Sequence, residues 1–526
     1  MKRFFLLILF LGVSTGTSKA QTFQVDTIRY NGNPAKYINL VFLGDGYTAS
    51  EMATFVANIT SFTNGLFTFS PFSEYSNYFN VFAIWVPSQQ SGTDHPMTAS
   101  DCWSSDYTSS DSRNTYFNTT FDLNGVHRAI APATMSAVNT VLFNNFPQYD
   151  QTVLMVHTSY YGGTGGPIAT STEHSQAVKI VTHEMGHSFG SLADEYYAGD
   201  PYASERPNMT MENNPSLVRW AHWVGTNGIS VYQHCCSGNS SIWNKPSTTC
   251  LMESLVNNNF CEVCRETIIE KVHLLFGTPI LSRSPIPDQV YYCTEPTVFS
   301  LDLETPTPNT LRVQWLINGQ PYGGNSSSIS VPASYWSSIV NIVQAKVMDT
   351  TSMVRTTNHP QYHEYISTWT TTIGLDTSVT SIGGILSALY PSATYQWVTC
   401  PDYQPVPGAT SQTFIPSATG NYAVIIQQGS CRDTSSCYFV VSSGTEDLAG
   451  TGSFTVYPNP AGNEFYVRGG VSQGTIFELM NLSGQVLSKG ILDENAVVPA
   501  AGYSPGLYLL KLRSAEGNWF KKIVIR

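Results

Sequence analysis

The chain is poor in charged side chains. Asp, Glu, Lys and Arg make up 12% of its 526 residues, which is about half of the usual share in soluble proteins. Basic residues are the scarcer kind, with 25 Lys and Arg against 37 Asp and Glu and a net charge of −12. Nucleic acids and anionic membrane surfaces do not attract an acidic chain, so we exclude both as partners.

Long apolar runs are lacking after the first 20 residues. No later stretch approaches the ~20 consecutive apolar residues of a membrane helix, so we expect no transmembrane segment. Residues 1–20 combine two basic side chains, an apolar run and the small residues Ser18 and Ala20 in the sequence MKRFFLLILFLGVSTGTSKA. This pattern predicts a signal peptide that is cut after Ala20 and a mature protein that is exported.

What the chain has in abundance is Ser, Thr, Asn, Gly and Tyr. This composition is typical of β-rich extracellular modules. Its length predicts roughly three to four domains of ~100 to 200 residues. Near the N-terminus an apolar strand (36–44), a helical stretch (50–67) and a second strand (79–88) give the order β, α, β. A further buried strand at 151–159 leads towards a second helix.

That helix, around residues 174–197, carries His183, Glu184 and His187 in the order HExxH. Two histidines four residues apart lie on one helical face, so both imidazoles reach one ion. Glu184 lies one step around the helix, where its carboxylate can deprotonate a water at that ion. The surrounding segment is apolar and therefore buried, and a metal satisfies both imidazoles at once. We predict one catalytic Zn²⁺ with His183 and His187 as ligands and Glu184 as general base.

A catalytic zinc takes a third protein ligand and keeps one position open for water. Gly190 follows His187 by three residues, and glycine there suits the left-handed conformation that ends a helix and turns the chain back. Asp194 and Glu195 come just after this turn. We favour Asp194 as the third ligand, with Glu195 as the fallback ligand or as a partner that orients a histidine.

The run HEMGHSFGSLADEY (183–196) resembles the signature of the IgA-peptidase family of zinc metallopeptidases, which is similar to the metzincins and their HExxHxxGxxH or HExxHxxGxxD motif. Ala193 stands at the metzincin position of the third ligand, and Asp194 comes one residue later. The resemblance covers most of residues 30–275 and includes LGDGYTASE, SPFSEYSNYFNV, YGGTGG, CLMES and FCEVCRE. It implies a metzincin-like α/β catalytic domain, with a mixed sheet and an active-site helix, in which Met252 of CLMES packs under the histidines as a Met-turn.

The glycine-rich stretch YYGGTGGPIATST (160–172) lies directly before the HExxH helix. Two interpretations of it stand side by side. It is either a sheet edge that binds an extended peptide by strand addition, or a flexible loop.

After a proline-bearing stretch at 279–287 the chain changes to short alternating strands and turns, which predicts a domain boundary. Residues 281–372 and 373–443 each resemble an immunoglobulin-like β-sandwich, with Trp315 and Trp397 as the buried aromatic residues of the two cores. We expect these modules to act as spacers rather than as ligand-binding domains.

Ten cysteines occur, and an even number in an exported protein most often forms disulfides. Cys261 and Cys264 form a CxxC motif, for which we favour a disulfide over a structural zinc because a second CxxC is missing. Cys293 has no evident partner in its own module. One bridge with one thiol left over is expected among Cys400, Cys431 and Cys437.

The last block, residues 451–526, follows a Gly, Ser and Thr linker and consists of strands joined by tight turns. With FTVYPNPAGNEFYV, FELMNLSGQVLSKG, GLYLLKL and KKIVIR it closely resembles the small all-β C-terminal sorting domain of the type IX secretion system. The resemblance implies that the type IX secretion machinery is a partner. It also implies a route through the periplasm and outer membrane to release or surface attachment.

We therefore predict a secreted zinc endopeptidase that hydrolyses protein or peptide substrates, with its metallopeptidase domain at residues 21–280. One alternative is a surface adhesin or glycan-binding protein whose metal site is structural, although such a site has no use for the general base Glu184. The other is a zinc amidase that acts on a cell-wall polymer.

Overall fold

We describe a computed structural model of the chain over residues 22–102, 110–235, 238–286, 288–293, 295–336, 338–429, 431–441, 454–469, 474–481, 485–493, 495–514 and 517–526. The predicted signal peptide (1–20), Cys236 and the linker at 442–452 lie outside these ranges. The chain forms two compact units: Met1–Val290 with Glu295–Thr372, and Tyr291–Thr294 with Ile373–Arg526. No helix in the described ranges combines the length and apolar character needed to span a bilayer.

The first unit begins with a mixed sheet of six strands in the order β1-β3-β2-β6-β8-β7. β2, β3, β6 and β8 run parallel, while β1 and β7 pair antiparallel at the two edges. β4 pairs with β5 and β9 with β10 outside this sheet. The strands are β1 (Val25–Arg29), β2 (Ile38–Asp45), β3 (Phe79–Ile84), β4 (Thr119–Thr120), β5 (Ala131–Pro132), β6 (Gln151–Val156), β7 (Gly163–Thr164), β8 (Ala169–Thr172), β9 (Tyr232–Gln233) and β10 (Asn244–Lys245).

Helices cover both faces of this sheet, which is why β2, β3 and β6 are buried along their whole length. Alternate side chains of β2 point to opposite faces of the sheet. Leu40 and Phe42 pack in one apolar core, and Val41 and Leu43 pack in the other. The first core also includes α1 (Met52–Leu66), α3 (Ala177–Ser188) and α4 (Glu262–Phe276), and the second includes α2 (Met135–Asn145). The β, α, β order predicted from the apolar runs is confirmed.

Residues 280–373 form two sheets around one apolar core, in which the rings of Trp315 and Trp369 stack with centroids 5.8 Å apart. The sheet orders are β11-β13-β16 and β12-β18-β17-β14-β15. The elements are β11 (Ile280–Ser284), β12 (Gln289–Tyr292), β13 (Thr297–Leu303), β14 (Leu311–Ile317), β15 (Gln320–Pro321), β16 (Ser328–Val331), β17 (Val340–Asp349), α5 (His359–His363) and β18 (Tyr365–Ile373).

The second unit contains two further pairs of sheets, with Trp397 fully buried in the first. The first pair has β19-β20-β22 and β21-β23-β24, with β25 on β23, and the second has β26-β27-β30 and β29-β28-β31-β32. The strands are β19 (Val379–Ile382), β20 (Ile385–Ala388), β21 (Thr394–Thr399), β22 (Thr413–Phe414), β23 (Gly420–Gln428), β24 (Cys431–Thr434), β25 (Tyr438–Val440), β26 (Thr455–Tyr457), β27 (Glu464–Arg468), β28 (Ile476–Met480), β29 (Val486–Ile491), β30 (Val497–Pro499), β31 (Gly506–Ser514) and β32 (Gly517–Ile525).

Short 3₁₀ helices complete the described secondary structure, at Ala49–Glu51, Ser76–Tyr78, Leu123–Gly125, Asp200–Tyr202, Ala221–Trp223, Asn239–Ile242 and Ala333–Tyr335. Two disulfides link cysteines of the second unit. Cys293 pairs with Cys431, and Cys400 pairs with Cys437. The partner of Cys293 thus lies outside its own module, on a strand 138 residues away in sequence.

A cluster of ionisable side chains joins helix α4 to α5 within the first unit. Glu270 lies between two histidines: one carboxylate oxygen contacts His359 Nδ1, and the other is 2.9 Å from His363 Nε2. Burial opposes ionisation of Glu270, but the hydrogen bonds from both histidines outweigh it and lower its pKa to about 2. Burial also opposes the charge on His359, yet the bond to Glu270 raises the pKa of this histidine above its ordinary value.

This cluster makes the stability of the first unit depend on pH. The depressed pKa of Glu270 gives stability that is present above pH ~4.5 and lost as the pH falls towards 2. The raised pKa of His359 gives stability that is present below pH ~6.5 and lost as the pH rises through the raised value. We therefore expect Glu270→Gln to lower the melting temperature of this unit most at pH 5–6, by about 3–5 °C.

Differential scanning calorimetry of the full chain at pH 3, 5.5 and 9 measures this difference. Glu364→Gln is the matched control, because Glu364 forms a more exposed ion pair with Lys346 at 3.2 Å and such pairs contribute little. A Glu270→Gln effect that is equal at all three values of pH would contradict the assignment.

Candidate metal centre

Helix α3 brings the HExxH residues to the interior and ends at Ser188. The residue with the left-handed conformation after the helix is Ser191 (φ 55°), so the prediction that Gly190 takes it is wrong. Gly190 is required for another reason: a Cβ there would lie 2.8 Å from the carbonyl oxygen of Gly186. The Leu192 N–H donates to that same carbonyl at 2.9 Å. The chain thus turns back against the last turn of its own helix.

The turn brings three side-chain atoms together. His183 Nε2 and His187 Nε2 are 3.2 Å apart, and Asp194 Oδ1 lies 3.0 Å from the first and 3.2 Å from the second. Atoms held 2.0–2.1 Å from a tetrahedral zinc are about 3.3 Å apart. The two histidines and Asp194 therefore have the spacing of three ligands of one ion.

The other ring nitrogen of each histidine fixes its tautomer. His183 Nδ1 lies 3.0 Å from the carbonyl oxygen of Leu251, and His187 Nδ1 lies 2.8 Å from that of Leu192. A carbonyl only accepts, so each Nδ1 carries a hydrogen and each Nε2 is the ring atom that can bind a cation. The two Nε2 atoms lie 3.2 Å apart, which is favourable only with a metal ion between them or with a proton shared with Asp194. The residues therefore fit a metal ion.

Burial and charge act on these groups together. Burial opposes ionisation of Asp194, but hydrogen bonds from His183 and His187 outweigh it and hold its pKa well below the ordinary value. Burial likewise opposes the charge on His187, whereas the bond to Asp194 raises its pKa to about 9. Burial is the main reason why the pKa of Glu184 is raised. The site thus holds an ionised Asp194 beside a carboxyl group that is ready to accept a proton.

The segment that delivers Asp194 is fixed from both sides. The Asn208 side chain accepts from Ala193 N–H at 2.7 Å and donates to Ala193 carbonyl oxygen at 2.9 Å. His234 Nε2 lies 3.1 Å from the carbonyl oxygen of Asp194. Asn208 and His234 were not predicted from the sequence, because neither lies in a motif of defined spacing.

Glu195 faces the opposite way from Asp194. It is fully buried, its Oε1 accepts from Asn208 at 3.0 Å, and burial raises its pKa well above the ordinary value. The histidines are oriented by backbone carbonyls, so neither of the roles that the sequence left open for Glu195 matches its position. The same Glu195 Oε1 also lies 4.0 Å from the sulfur of Cys261 and 3.3 Å from the sulfur of Cys264.

Met252 is fully buried beneath helix α3. A Cβ on Gly186 would meet its sulfur at 2.5 Å, and Gly186 lies between the two histidines in sequence. The Met252 carbonyl also accepts from the Glu195 N–H at 2.9 Å. Met252 therefore packs directly against helix α3 at Gly186, and the glycine makes the close approach possible.

Strand β7 runs beside the metal centre at the edge of the sheet. A Cβ on Gly165, just after β7, would lie 2.6 Å from His187 Cβ and 2.8 Å from Glu184 Oε2. A carboxylate oxygen of Glu184 lies within 4.8 Å of both histidines. Glycine thus allows the edge backbone to lie directly against the general-base candidate.

Two adjoining clefts, with volumes of about 540 and 610 Å³, have His183 and Glu184 in both walls. Arg128 and Tyr196 line both clefts as well. A hydrogen bond links the two side chains and raises the pKa of Arg128 despite its burial. The sequence analysis missed both residues: Tyr196 stands inside the HExxH signature without a metal-binding role, and Arg128 lies outside every motif.

The fold and the site define a multidomain, β-rich protein with a candidate metal centre beside the edge of a mixed α/β sheet. Comparison with known families is more specific. Residues 27–232 match the family model described as IgA Peptidase M64, and residues 455–526 match that of the secretion system C-terminal sorting domain. The chain therefore carries a peptidase M64 domain and a type IX sorting domain, as the sequence resemblances predicted, and it is exported for secretion or attachment to the cell surface.

No curated protein matches the chain. Matching solved structures include extracellular domains 3–5 of Drosophila OTK, with 13% identity over 47% of this chain and 95% of that chain and a TM-score of 0.14. The Bacteroides ovatus protein SGBP-B, of a mixed-linkage glucan utilization locus, has 12% identity, coverages of 45% and 66% and a TM-score of 0.14. Sidekick-1 immunoglobulin domains 1–5 have 14% identity over 45% of this chain and 56% of that chain, with a TM-score of 0.14. TM-scores of 0.14 support no conclusion about the fold of this chain.

Proposed function

We propose that the chain is a secreted zinc-dependent endopeptidase with a metzincin-like catalytic domain and two immunoglobulin-like spacer modules. The observation that carries the proposal is the inward convergence of His183 Nε2, His187 Nε2 and Asp194 Oδ1 at 3.0–3.2 Å, with Glu184 beside them. A structural site would be closed and would have no need of a buried carboxylate next to it.

His183, His187 and Asp194 would hold the zinc. When bound, the ion lowers the pKa of a water towards ~7 and polarises the substrate carbonyl. The buried Glu184 takes the proton of the attacking water, and its raised pKa suits this exchange because a proton acceptor of very low pKa would bind the proton too weakly. The same carboxylic acid then donates the proton to the leaving amine.

Tyr196 is placed to stabilise the negative charge that develops on the carbonyl oxygen. Its ring centroid lies 6.2 Å from that of His183, and Arg128 bonds to its hydroxyl. A neutral hydroxyl held by a guanidinium is a preorganised donor, which is the arrangement that lowers the barrier of acyl transfer. The Tyr196 side chain lines both of the clefts that the two halves of a substrate would occupy.

The edge position of β7 supports an extended peptide as substrate. An edge strand can offer its remaining backbone N–H and C=O groups to a chain that adds as a further strand. The Gly163 N–H already donates to the carbonyl oxygen of Arg128 at 3.1 Å, so such a chain would pair with the residues that follow Gly163. The two clefts beside Glu184 provide room for side chains before and after the scissile bond. These features favour the sheet-edge interpretation of the glycine-rich stretch and favour a polypeptide over a cell-wall amide.

Cleavage of casein, of a peptide library and of peptidoglycan by the purified chain, with and without a chelator, tests the proposed function. We expect peptide cleavage that a chelator abolishes and added zinc restores. Cleavage of peptidoglycan alone would favour the amidase. A chain that contains zinc but cleaves nothing would favour the adhesin.

The Tyr196→Phe variant tests the role of the hydroxyl. We expect kcat for peptide cleavage to fall about 10²-fold with little change in KM, because the lost donor acts on the transition state. Tyr197→Phe is the matched control, since the neighbouring ring is 54% exposed. Steady-state kinetics and zinc content are measured for both variants. Equal activities of the two variants would rule out the proposed donor.

A further inference from the structure

Four buried side chains converge at the start of helix α4: Glu195, Cys250, Cys261 and Cys264. One ligand atom from each lies within 4.8 Å of all the others. The most exposed of the four is Cys261, at 6%. None of them takes part in the proposed reaction, so the cluster needs an explanation of its own.

The predicted disulfide of the CxxC motif is not formed in the structure, in which Cys250, Cys261 and Cys264 are all unbridged. The sulfur atoms of Cys250 and Cys264 are 3.7 Å apart, whereas a disulfide needs about 2.05 Å. A single bridge among three thiols would also leave the third buried beside a carboxylate. Pairing therefore does not account for the cluster.

The distances suit a tetrahedral ion instead. Zinc binds thiolate at about 2.3 Å and carboxylate at about 2.1 Å, so its ligands lie about 3.8 Å apart for two sulfurs and about 3.6 Å apart for sulfur and oxygen. The Cys250–Cys264 separation is 3.7 Å. Glu195 Oε1 is 3.3 Å from Cys264 Sγ and 4.0 Å from Cys261 Sγ.

Two of the cysteines have neighbours that can stabilise a negative charge on sulfur. Cys250 Sγ accepts two backbone hydrogen bonds, from Cys261 N–H at 3.2 Å and Met252 N–H at 3.4 Å. Cys261 occupies the N-cap position of α4, where the helix dipole stabilises a thiolate. Glu195 Oε2 is buried and has no hydrogen-bond partner among the described residues. The nearby Lys245 ammonium is bound to the Glu195 backbone carbonyl and to another carboxylate.

We propose that Glu195, Cys250, Cys261 and Cys264 bind a second Zn²⁺ in a closed structural site. Three thiolates select zinc over the harder cations, and four protein ligands leave no position for water. This ion is distinct from the one held by the two histidines and has no part in the reaction.

The site ties together the segments that build the catalytic centre. Glu195 follows Asp194 directly, and Cys250 precedes Leu251, whose carbonyl orients His183. Cys261 and Cys264 anchor both segments to the first turn of α4. One ion would therefore fix the position of the third catalytic ligand and of the Met252 turn at the same time.

Zinc content and X-ray absorption of the purified full chain test the proposal. We expect about two zinc ions per chain and a shell of sulfur at about 2.3 Å, with about 1.5 sulfurs per zinc on average because three thiolates serve one of two ions. In His183→Ala/His187→Ala the zinc content should fall to about one and the sulfur number rise to about 3. Absence of a sulfur shell in the wild-type chain would overturn the proposal, as would recovery of any of the three cysteines in a disulfide.

The histidine variant also separates this proposal from the proposed function. If the two histidine substitutions leave the zinc content unchanged and the sulfur shell persists, the assignment of a catalytic zinc to the histidines fails and the structural cysteine site stands. Cys261→Ser should reduce the zinc content to about one and remove the sulfur shell, with Cys102→Ser as the control that changes neither. If Cys261→Ser does not fold, Cys261→His is the second variant, because histidine is also a zinc ligand. In this variant the number of sulfur ligands at the structural zinc should fall from three to two. A Cys261→His shell that still contains three sulfurs would contradict the proposal.

Discussion

Glu184→Gln is expected to leave the zinc content of the chain unchanged and to lower kcat for peptide cleavage by about 10² to 10⁴, the range typical of a lost general base. The amide has nearly the shape of the carboxylate, so the buried position beside Gly163 and Gly165 is preserved. What it lacks is the ability to accept a proton. The effect should therefore fall on the chemical step.

Steady-state kinetics, zinc analysis and thermal unfolding of the variant measure this result. Glu205→Gln is the matched control, since Glu205 is 40% exposed and forms a surface ion pair with Arg219. We expect the control to retain wild-type activity. Full zinc occupancy together with wild-type turnover in Glu184→Gln would show that another group removes the proton.

Asp194→Ala is expected to weaken zinc binding by more than ~100-fold and to abolish activity accordingly. Loss of a residue that only supports a ligand typically costs 10- to 100-fold in affinity, and loss of the ligand itself costs more. Asp194 is the negative group that faces both Nε2 atoms at 3.0–3.2 Å, so its removal leaves only two neutral ligands. Competition with a chromophoric chelator gives the dissociation constant.

Two further variants make this test specific. Asp200→Ala, whose carboxylate accepts from Ser240 N–H at 3.0 Å in a neighbouring loop, should bind zinc as the wild type does. Ala193→Asp combined with Asp194→Ala moves the carboxylate to the metzincin position and should not restore binding. Ala193 is 6% exposed and packs in a small apolar cluster with Met209. Wild-type affinity in the double variant would contradict the orientation of this segment.

The N-terminal elements were readable from the sequence because their apolar runs are long and fully buried. α1 and β3 fall within the stretches predicted for them, β2 ends one residue beyond its stretch, and the HExxH pair lies on α3 as its spacing requires. A period of 3.6 residues or an unbroken apolar run needs no knowledge of distant residues. The sorting domain was recognised for a similar reason, because its motifs are short and contiguous.

Predictions that depended on contacts between distant residues were less successful. The turn after α3 uses Ser191 in the left-handed conformation, because Gly190 is needed where the chain packs on Gly186. The CxxC motif was assigned a disulfide because a second CxxC is missing, whereas the side chains that join it in space are the single Cys250 and Glu195, which is remote from it in sequence. The pairing of Cys293 with Cys431 was not predicted for the same reason, since the two cysteines lie 138 residues apart in sequence.

By itself the sequence determined which residues are candidates for the chemistry, since the histidines and the carboxylate that follows the first of them lie within one helix whose geometry is local. Only the tertiary structure decided which of Asp194 and Glu195 faces those histidines. Neighbouring side chains of an extended segment point to opposite sides, and the choice between the sides depends on Asn208 and on the cysteines of α4. The tertiary structure likewise decided that Arg128 and Tyr196 line the candidate site, because packing between separate elements brings the two side chains together.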